Sequence, residues 1–287
     1  MRLSHIVFSI TDVMTTNETE GFVRNALAYD ENLVFEYYDS EQFEEIASSS
    51  RIDELRNESI LFTDDYSLCG YAGSHGIATV GVLTKENRDK SFRNVLYCVE
   101  DISLMDMFHV NRIFQRCHNI PWIILETDRL VIRELTISDI DDLYRVYQSP
   151  KVSEYTEKLY EDKARETEYM REYIEKQYRF FEYGVWGIVR KEDGKLLGRA
   201  GLSNRPGYEN AELGYVIDSN EWKKGYAYEA CSAILEYAKE ELEMMYIQAF
   251  SRAENIASVK LLEKLGFKEK GFDLIEGKKH NLYLKEL

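Results

Sequence analysis

The sequence predicts an α/β protein built as two units, a parallel sheet covered on both faces followed by a second sheet-and-helix unit. Three observations carry this. Short apolar runs alternate with amphipathic helical patterns along the whole chain, which is the pattern of layered α/β folds. The 287 residues exceed one ordinary domain, and 44% of them are hydrophobic, enough for two buried cores. Pro121 interrupts the pattern between the two halves and marks the boundary expected between them.

In the first unit HIVFSI (5–10) reads as a buried strand running into the polar TDVMTTN, and Phe22, Val23, Ala26 and Leu27 give a helical stripe over 17–29. The stretch 30–58 is acidic and carries no clear pattern. SILFTDD (59–65) is a second strand ending in carboxylates, SLCGYAGSHG (67–76) a short helix closed by Gly76, and IATVGVL (77–83) a third strand. NVLYCVE (94–100) reads as a fourth, and the stripe Met105, Phe108, Val110, Ile113 and Phe114 predicts a helix over 103–118. Strands separated by helices are expected to lie parallel.

The second unit opens with strand RLVIREL (129–135) and helix ISDIDDLYRVYQS (137–149), and a charged helix is expected over 161–182. GVWGIVRKEDGKLLGRAGL (184–202) is a hairpin, since Asp193-Gly194 supplies the positive φ that a tight turn requires. Strand AELGYVID (211–218) precedes helix YAYEACSAILEYAKEEL (226–242), whose stripe is Ala227, Ala230, Ile234, Leu235, Ala238 and Leu242. Strand YIQAFSR (246–252) leads to helix NIASVKLLEKLG (255–266), with an Asn cap and a terminating Gly266. Strands near 267–272 and 280–286 close the unit.

The net charge of −16 argues against non-specific binding to nucleic acid or to an anionic membrane. Residues 1–124 hold 10 basic against 20 acidic side chains and the remainder 26 against 32, so an anionic ligand is expected in the second half. Cys69, Cys98, Cys117 and Cys231 are isolated, which favours small buried hydrophobes over metal binding. His75, His109 and His118 lack ligand spacing, and no metal is expected. With no signal-like opening and no membrane-length apolar run, a reducing cytoplasm is the expected setting.

The stretch EWKKGYAYEA (221–230) sets two lysines and a glycine between a strand and a helix. The first turn of a helix has N–H groups without internal partners and the positive end of the dipole, so Lys223, Lys224, Gly225, Tyr226, Ala227 and Tyr228 suit a phosphate. Taken alone, these residues also fit an exposed lysine pair beside a glycine turn. Together with ENIASVKLLEKLGF after the next strand, and with ETDRLVIREL, LGRAGL and AELGYVID in order, the segment 125–287 resembles the GNAT acetyltransferases, in particular their ribosomal-protein N-acetyltransferase branch. Trp222 stands where the general signature has Arg or Gln, a variant common in that branch.

The resemblance implies a GNAT α+β fold with a mixed central sheet, and acetyl-CoA as co-substrate with its pyrophosphate on the amides of 223–228. Its pantetheine is expected along Tyr215, Val216 and Ile217. Glu212 is the candidate base, or alternatively a strand-edge carboxylate that only attracts a cation. Where many relatives have a thiolate-protonating Tyr, this chain has Leu262, so Ser258 is the substitute donor or else a surface serine. Asn255 is a helix cap that also reaches the cofactor, or a cap alone. Tyr178, Phe180, Phe181, Tyr183 and Trp186 cluster as core, with one or two available to an acceptor groove. Glu209 and Glu212 favour a cationic amine acceptor, a protein N-terminus or a small amine. The alternative reading is an acetyl-CoA-binding regulatory or interaction protein with an inactive GNAT fold.

HIVFSITDVM and ILFTDDYSLCGYAGSHGIATVGV resemble the first and last motifs of the haloacid-dehalogenase-like phosphatases, over 1–120. That chemistry needs two aspartates where this chain has Ser9 and Thr11, and Asp64 and Asp65 alone are weak Mg²⁺ ligands. A degenerate, capless Rossmann-like unit is expected, serving as scaffold or as a protein-partner surface.

Overall fold

The computed structural model describes residues 1–287, apart from the side chains of residues 13, 14, 16 and 17. Two compact units are present, Met1–Ile120 and Pro121–Leu287. No helix among the described residues is long and apolar enough to cross a membrane.

The first unit contains β1 (His5–Ser9), α1 (Val13–Tyr29), β2 (Val34–Tyr37), α2 (Ser40–Ala47), α3 (Ile52–Glu58), β3 (Ser59–Thr63), α4 (Tyr66–Ser74), β4 (Ala78–Val82), β5 (Tyr97–Val99) and α5 (Met107–Cys117). Its five strands form a parallel sheet in the order β2-β1-β3-β4-β5. Successive residues of a strand point to opposite faces. Ile6, Phe8, Phe62 and Val80 accordingly pack with Phe22 of α1 and Phe114 of α5, while Val7 and Leu61 pack with Phe43 of α2 and Leu68 of α4. The unpatterned stretch 30–58 holds one strand and two helices. β2 gives no sequence pattern because it is a half-exposed edge without an apolar run, and α2 starts at a capping box formed by Asp39 and Gln42. The sheet order is shared by doubly wound folds in general and does not single out the dehalogenase-like family.

The residues at the carboxyl ends of these strands are engaged within the unit. The Asp64 carboxylate accepts from the Thr11 N–H at 3.0 Å, the Thr11 hydroxyl at 3.0 Å and the Asp12 N–H at 2.8 Å. Asp65 caps α4 and accepts from the Ser40 hydroxyl at 2.9 Å. The two strand-end carboxylates thus serve as an anchor and a helix cap. Elsewhere in the unit His5, Glu36 and Glu54 bring potential ligand atoms within 4.8 Å of one another, but Arg51 pairs with both carboxylates and stands where a cation would. Cys69 is buried, which pushes its thiol up to about 12, whereas Cys98 is exposed and so departs from the expectation of buried thiols.

The second unit contains β6 (Ile123–Glu126), β7 (Leu130–Arg133), α6 (Ile140–Tyr147), α7 (Pro150–Ser153), α8 (Lys163–Tyr173), α9 (Arg179–Phe181), β8 (Val185–Arg190), β9 (Leu196–Ser203), β10 (Ala211–Ile217), α10 (Tyr226–Glu240), β11 (Tyr246–Ser251), α11 (Ile256–Lys264), β12 (Lys268–Ile275) and β13 (Lys278–Glu286). The eight strands form one sheet in the order β12-β13-β11-β10-β9-β8-β7-β6. Its pairs are antiparallel except β10 with β11, so the sheet is mixed. Ala230, Ile234, Leu235 and Ala238 of α10 pack on Leu202, Leu213 and Ile247, and the opposite face holds Leu135, Leu143, Met170 and Leu196. The sequence pattern overlooked β6, a four-residue edge strand that follows the buried Trp122, so this unit begins before residue 125. The helix expected over 161–182 is broken by a π-helical turn at Ile174–Tyr178 and ends at Glu182, whose φ is +59°.

Candidate active site

The site begins as a defect in the sheet. β10 and β11 pair only at Ala211 with Ile247 and at Glu212 with Gln248, while β10 stays paired to β9 as far as Ile217. Beyond Glu212 the two strands separate, and one backbone edge of β10 lacks a sheet partner. A groove of about 720 Å³ opens there, bounded by Tyr215, Val216 and Ile217, by the start of α10 and by the first turns of α11. Unpaired N–H and C=O groups along a strand suit a ligand that carries amides of its own.

At one end of the groove lies the N-terminus of α10. Gly225 takes φ +86°, a left-handed conformation costly for any residue with a Cβ, and provides no side-chain cap. The first helical bond runs from the Glu229 N–H to the Gly225 carbonyl, so the amides at 226–228 precede it and lack i−4 partners. Gly225, Tyr226, Ala227 and Tyr228 all line the groove. The two lysines differ. Lys223 lines the groove and has no ion-pair partner among the described residues. Lys224 instead pairs with the buried Glu221 at 2.7 Å and is absent from the lining, because Glu221 needs cations to offset its burial. Lys224, Lys195 and Arg190 surround that carboxylate, and the hydrogen bonds from the two lysines push its pKa down to about 2.

Two residues that the sequence reasoning did not assign hold this turn. Arg129, just before β7, donates to the Lys224 carbonyl at 3.0 Å, stacks over the Tyr226 ring at 4.5 Å and pairs with Glu229 at 2.7 Å. The indole N–H of Trp222 donates to the Ile217 carbonyl at 2.8 Å, tying the end of β10 to the loop before α10. A signal for Arg129 could not come from spacing, since its partners lie about a hundred positions away.

A second groove, of about 400 Å³, meets the first at Tyr215, Val216, Asn255 and Ser258, which line both. The Ser258 hydroxyl lies 2.8 Å from the Tyr215 hydroxyl, so the serine faces the junction. Burial raises the Tyr215 phenol well above its ordinary value, keeping it a neutral hydroxyl. Asn255 caps α11 by accepting from the Ser258 N–H at 3.2 Å, and it also faces both grooves. Leu262 is buried in the core.

Glu212 lines the second groove, but its carboxylate is clamped by the Arg205 guanidinium, with Nη2 at 3.1 Å and a shorter contact from Nε. Its charge is thereby balanced, which removes one of the two carboxylates on which a cationic acceptor was expected; the other, Glu209, is exposed and does not line the groove. The aromatic cluster lies elsewhere too. Tyr178 and Trp186 are core, Phe180 and Phe181 are exposed, and none of the five lines the second groove. Tyr147, Tyr169 and Tyr173 do, from α6 and α8.

A family profile described as an acetyltransferase (GNAT) domain matches residues 129–268. The uncharacterised N-acetyltransferase YoaA of Bacillus subtilis is 30% identical over 149 residues, covering 52% of this chain and 84% of that protein. Among solved structures, an acetyltransferase of Agrobacterium tumefaciens is 23% identical with a TM-score of 0.50, covering 57% of this chain and 94% of that one. A ribosomal-protein-S5-alanine acetyltransferase of Vibrio fischeri shares the fold at 20% identity and a TM-score of 0.50, covering 56% and 95%. GNAT acetyltransferases use acetyl-CoA, and the forked sheet, the open helix terminus and these similarities converge on one conclusion: through its second unit, this chain belongs to the GNAT acetyltransferase family.

Proposed function

We propose that the second unit transfers acetyl from acetyl-CoA to a primary amine by direct attack, the amine being that of a protein N-terminus or of a small molecule. The observation that carries this is the separation of β10 from β11 after two paired residues, with the resulting groove ending at the uncapped start of α10. The residues present fit the co-substrate. The amides at 226–228 and Lys223 offer donors and positive charge to a pyrophosphate, and the free edge at 215–217 offers backbone partners to pantetheine. Acetyl-CoA supplies an activated acyl group; the protein's part is to orient it and manage protons.

An alkylamine is almost fully protonated at neutral pH, with an ordinary pKa of about 10.4 for lysine, so a proton must leave before attack. Glu212 is the carboxylate we assign to that role, directly or through water, with Arg205 holding its orientation. The departing thiolate needs a hydrogen bond or a proton, which we assign to the Ser258 hydroxyl, itself bonded to Tyr215. Asn255 then serves as cap and as a polar wall of the junction.

For the first unit we propose a non-catalytic α/β scaffold or protein-partner surface, supported by Ser9 and Thr11 at the positions where phosphatase chemistry needs aspartates. Calorimetry of the full chain with acetyl-CoA, followed by release of free CoA thiol across a panel of amines, tests the main reading. Binding with amine-dependent thiol release is expected. Binding without it under any amine would replace the enzyme with an acetyl-CoA-sensing protein.

A further inference from the structure

The second groove contains a guanidinium that the proposed chemistry does not use. Arg199 lies on β9 directly opposite Val216, a residue that lines both grooves. Paired residues of an antiparallel ladder share a face, with Cβ atoms about 5 Å apart. Arg199 therefore sits one cross-strand step from the junction. Its Nε donates to the Tyr147 hydroxyl at 2.8 Å, with the guanidinium carbon 5.1 Å from that ring's centroid, and Tyr169 and Tyr173 line the same groove.

Among the described residues Arg199 has no acid partner and, unlike the other two arginines of the groove, has no neighbour that claims its terminal nitrogens. Arg205 is balanced by Glu212, and Arg252 donates to the Glu154 carbonyl at 2.6 Å and stacks on Tyr155. No carboxylate among the described residues lies within 4 Å of Arg199, and its Nη groups have no hydrogen-bond partner there. The exposed Glu154, Glu157 and Glu276 also line the groove without pairing with it. The planar fork of Arg199 therefore remains available to the groove and matches a carboxylate in bidentate geometry.

Resting on the acetyl-transfer reading above, we propose that the acceptor is a small amine bearing a carboxylate, an amino-acid-like molecule whose oxyanion is held by Arg199 while its amine faces the junction. Three further features agree. The cavity is of small-molecule size. Gly214, on the same face of β10 between Glu212 and Val216, leaves open space where a side chain would stand, with nothing within 4 Å of its missing Cβ. A fixed cation beside the bound amine also disfavours its ammonium form, which helps the deprotonation that attack requires.

The test is a comparison of matched acceptors on the full chain at saturating acetyl-CoA, each amino acid against its own carboxamide and its decarboxylated amine, read as free thiol. Acids are expected to exceed their amides about ten- to hundredfold in kcat/KM, mainly through KM, the span of one charge-assisted hydrogen-bonded pair. In Arg199→Met the preference should vanish, and Arg199→Lys should restore part of it, with acetyl-CoA binding unchanged in both as the check on folding. Turnover in the parent without preference for acids over amides overturns this inference and leaves acetyl transfer standing. A preference that survives Arg199→Met in a protein that still binds acetyl-CoA overturns it too. Absence of thiol release with every amine overturns both readings.

Discussion

Gly225→Glu is the sharpest probe of the proposed phosphate site. Gly225 has φ +86°, so any L-residue there carries a backbone cost of roughly 1–2 kcal/mol. The space itself is permissive, since an added Cβ would meet only Arg129 Nη2 at 3.4 Å. The effect on binding is larger. A charge-assisted hydrogen bond is worth about 1.5–3 kcal/mol, and a carboxylate at this turn competes for the same amides while repelling the pyrophosphate. Loss of even one such bond weakens acetyl-CoA binding roughly ten- to hundredfold. Gly225→Ala, which has the backbone cost but no charge, separates the two contributions and should lose stability with little loss of affinity. Calorimetry with acetyl-CoA and thermal unfolding, run on parent and both variants, check this. An unchanged Kd in a folded Gly225→Glu protein would refute the placement of the pyrophosphate on α10.

Other outcomes follow from the same geometry. Glu212→Gln should keep acetyl-CoA binding but lower turnover about a hundredfold, most steeply below the acceptor's own pKa; an unaltered rate and pH profile would mean that Glu212 is not the base. Ser258→Ala should cost less, about tenfold at most, since water can occupy the place of a hydroxyl, and a loss as large as that of Glu212→Gln would contradict the division of roles. Glu221, held near 2 against an ordinary 4.5, contributes stability that is full above 4.5 and is lost as pH falls toward 2, so Glu221→Gln should flatten the acid limb of a stability–pH curve. Asp64→Asn, which weakens an acceptor of three donors from the loop after β1, should destabilise the first unit by about 1–3 kcal/mol. The parent should release no phosphate from an aryl phosphate with Mg²⁺, and Mg²⁺-dependent release abolished by Asp64→Asn would sink the scaffold reading.

Outside residues 30–58, most of the order of strands and helices was legible from periodicity, because buried strands and helix stripes are local patterns. So was the start of α10, where Lys223 and Gly225 lie two positions apart in the chain and a helix terminus needs no distant partner to expose its amides. The same locality explains the oversights: β2 and β6 are short edge strands whose partners, not their composition, make them strands. Pairing across the fold decided the rest. Whether Lys224 faces a ligand or Glu221, whether Glu212 is free or clamped by Arg205, and whether Arg129 braces the phosphate turn depend on side chains brought together by the sheet. Arg199 reads from sequence as a polar residue in a hairpin strand. Only the register that sets it opposite Val216, and the helices that surround it with tyrosines but no acid, turn it into a candidate anion clamp. A one-dimensional pattern can encode which face a residue takes, but the partners on that face, and so the charge that remains unbalanced, belong to the tertiary structure.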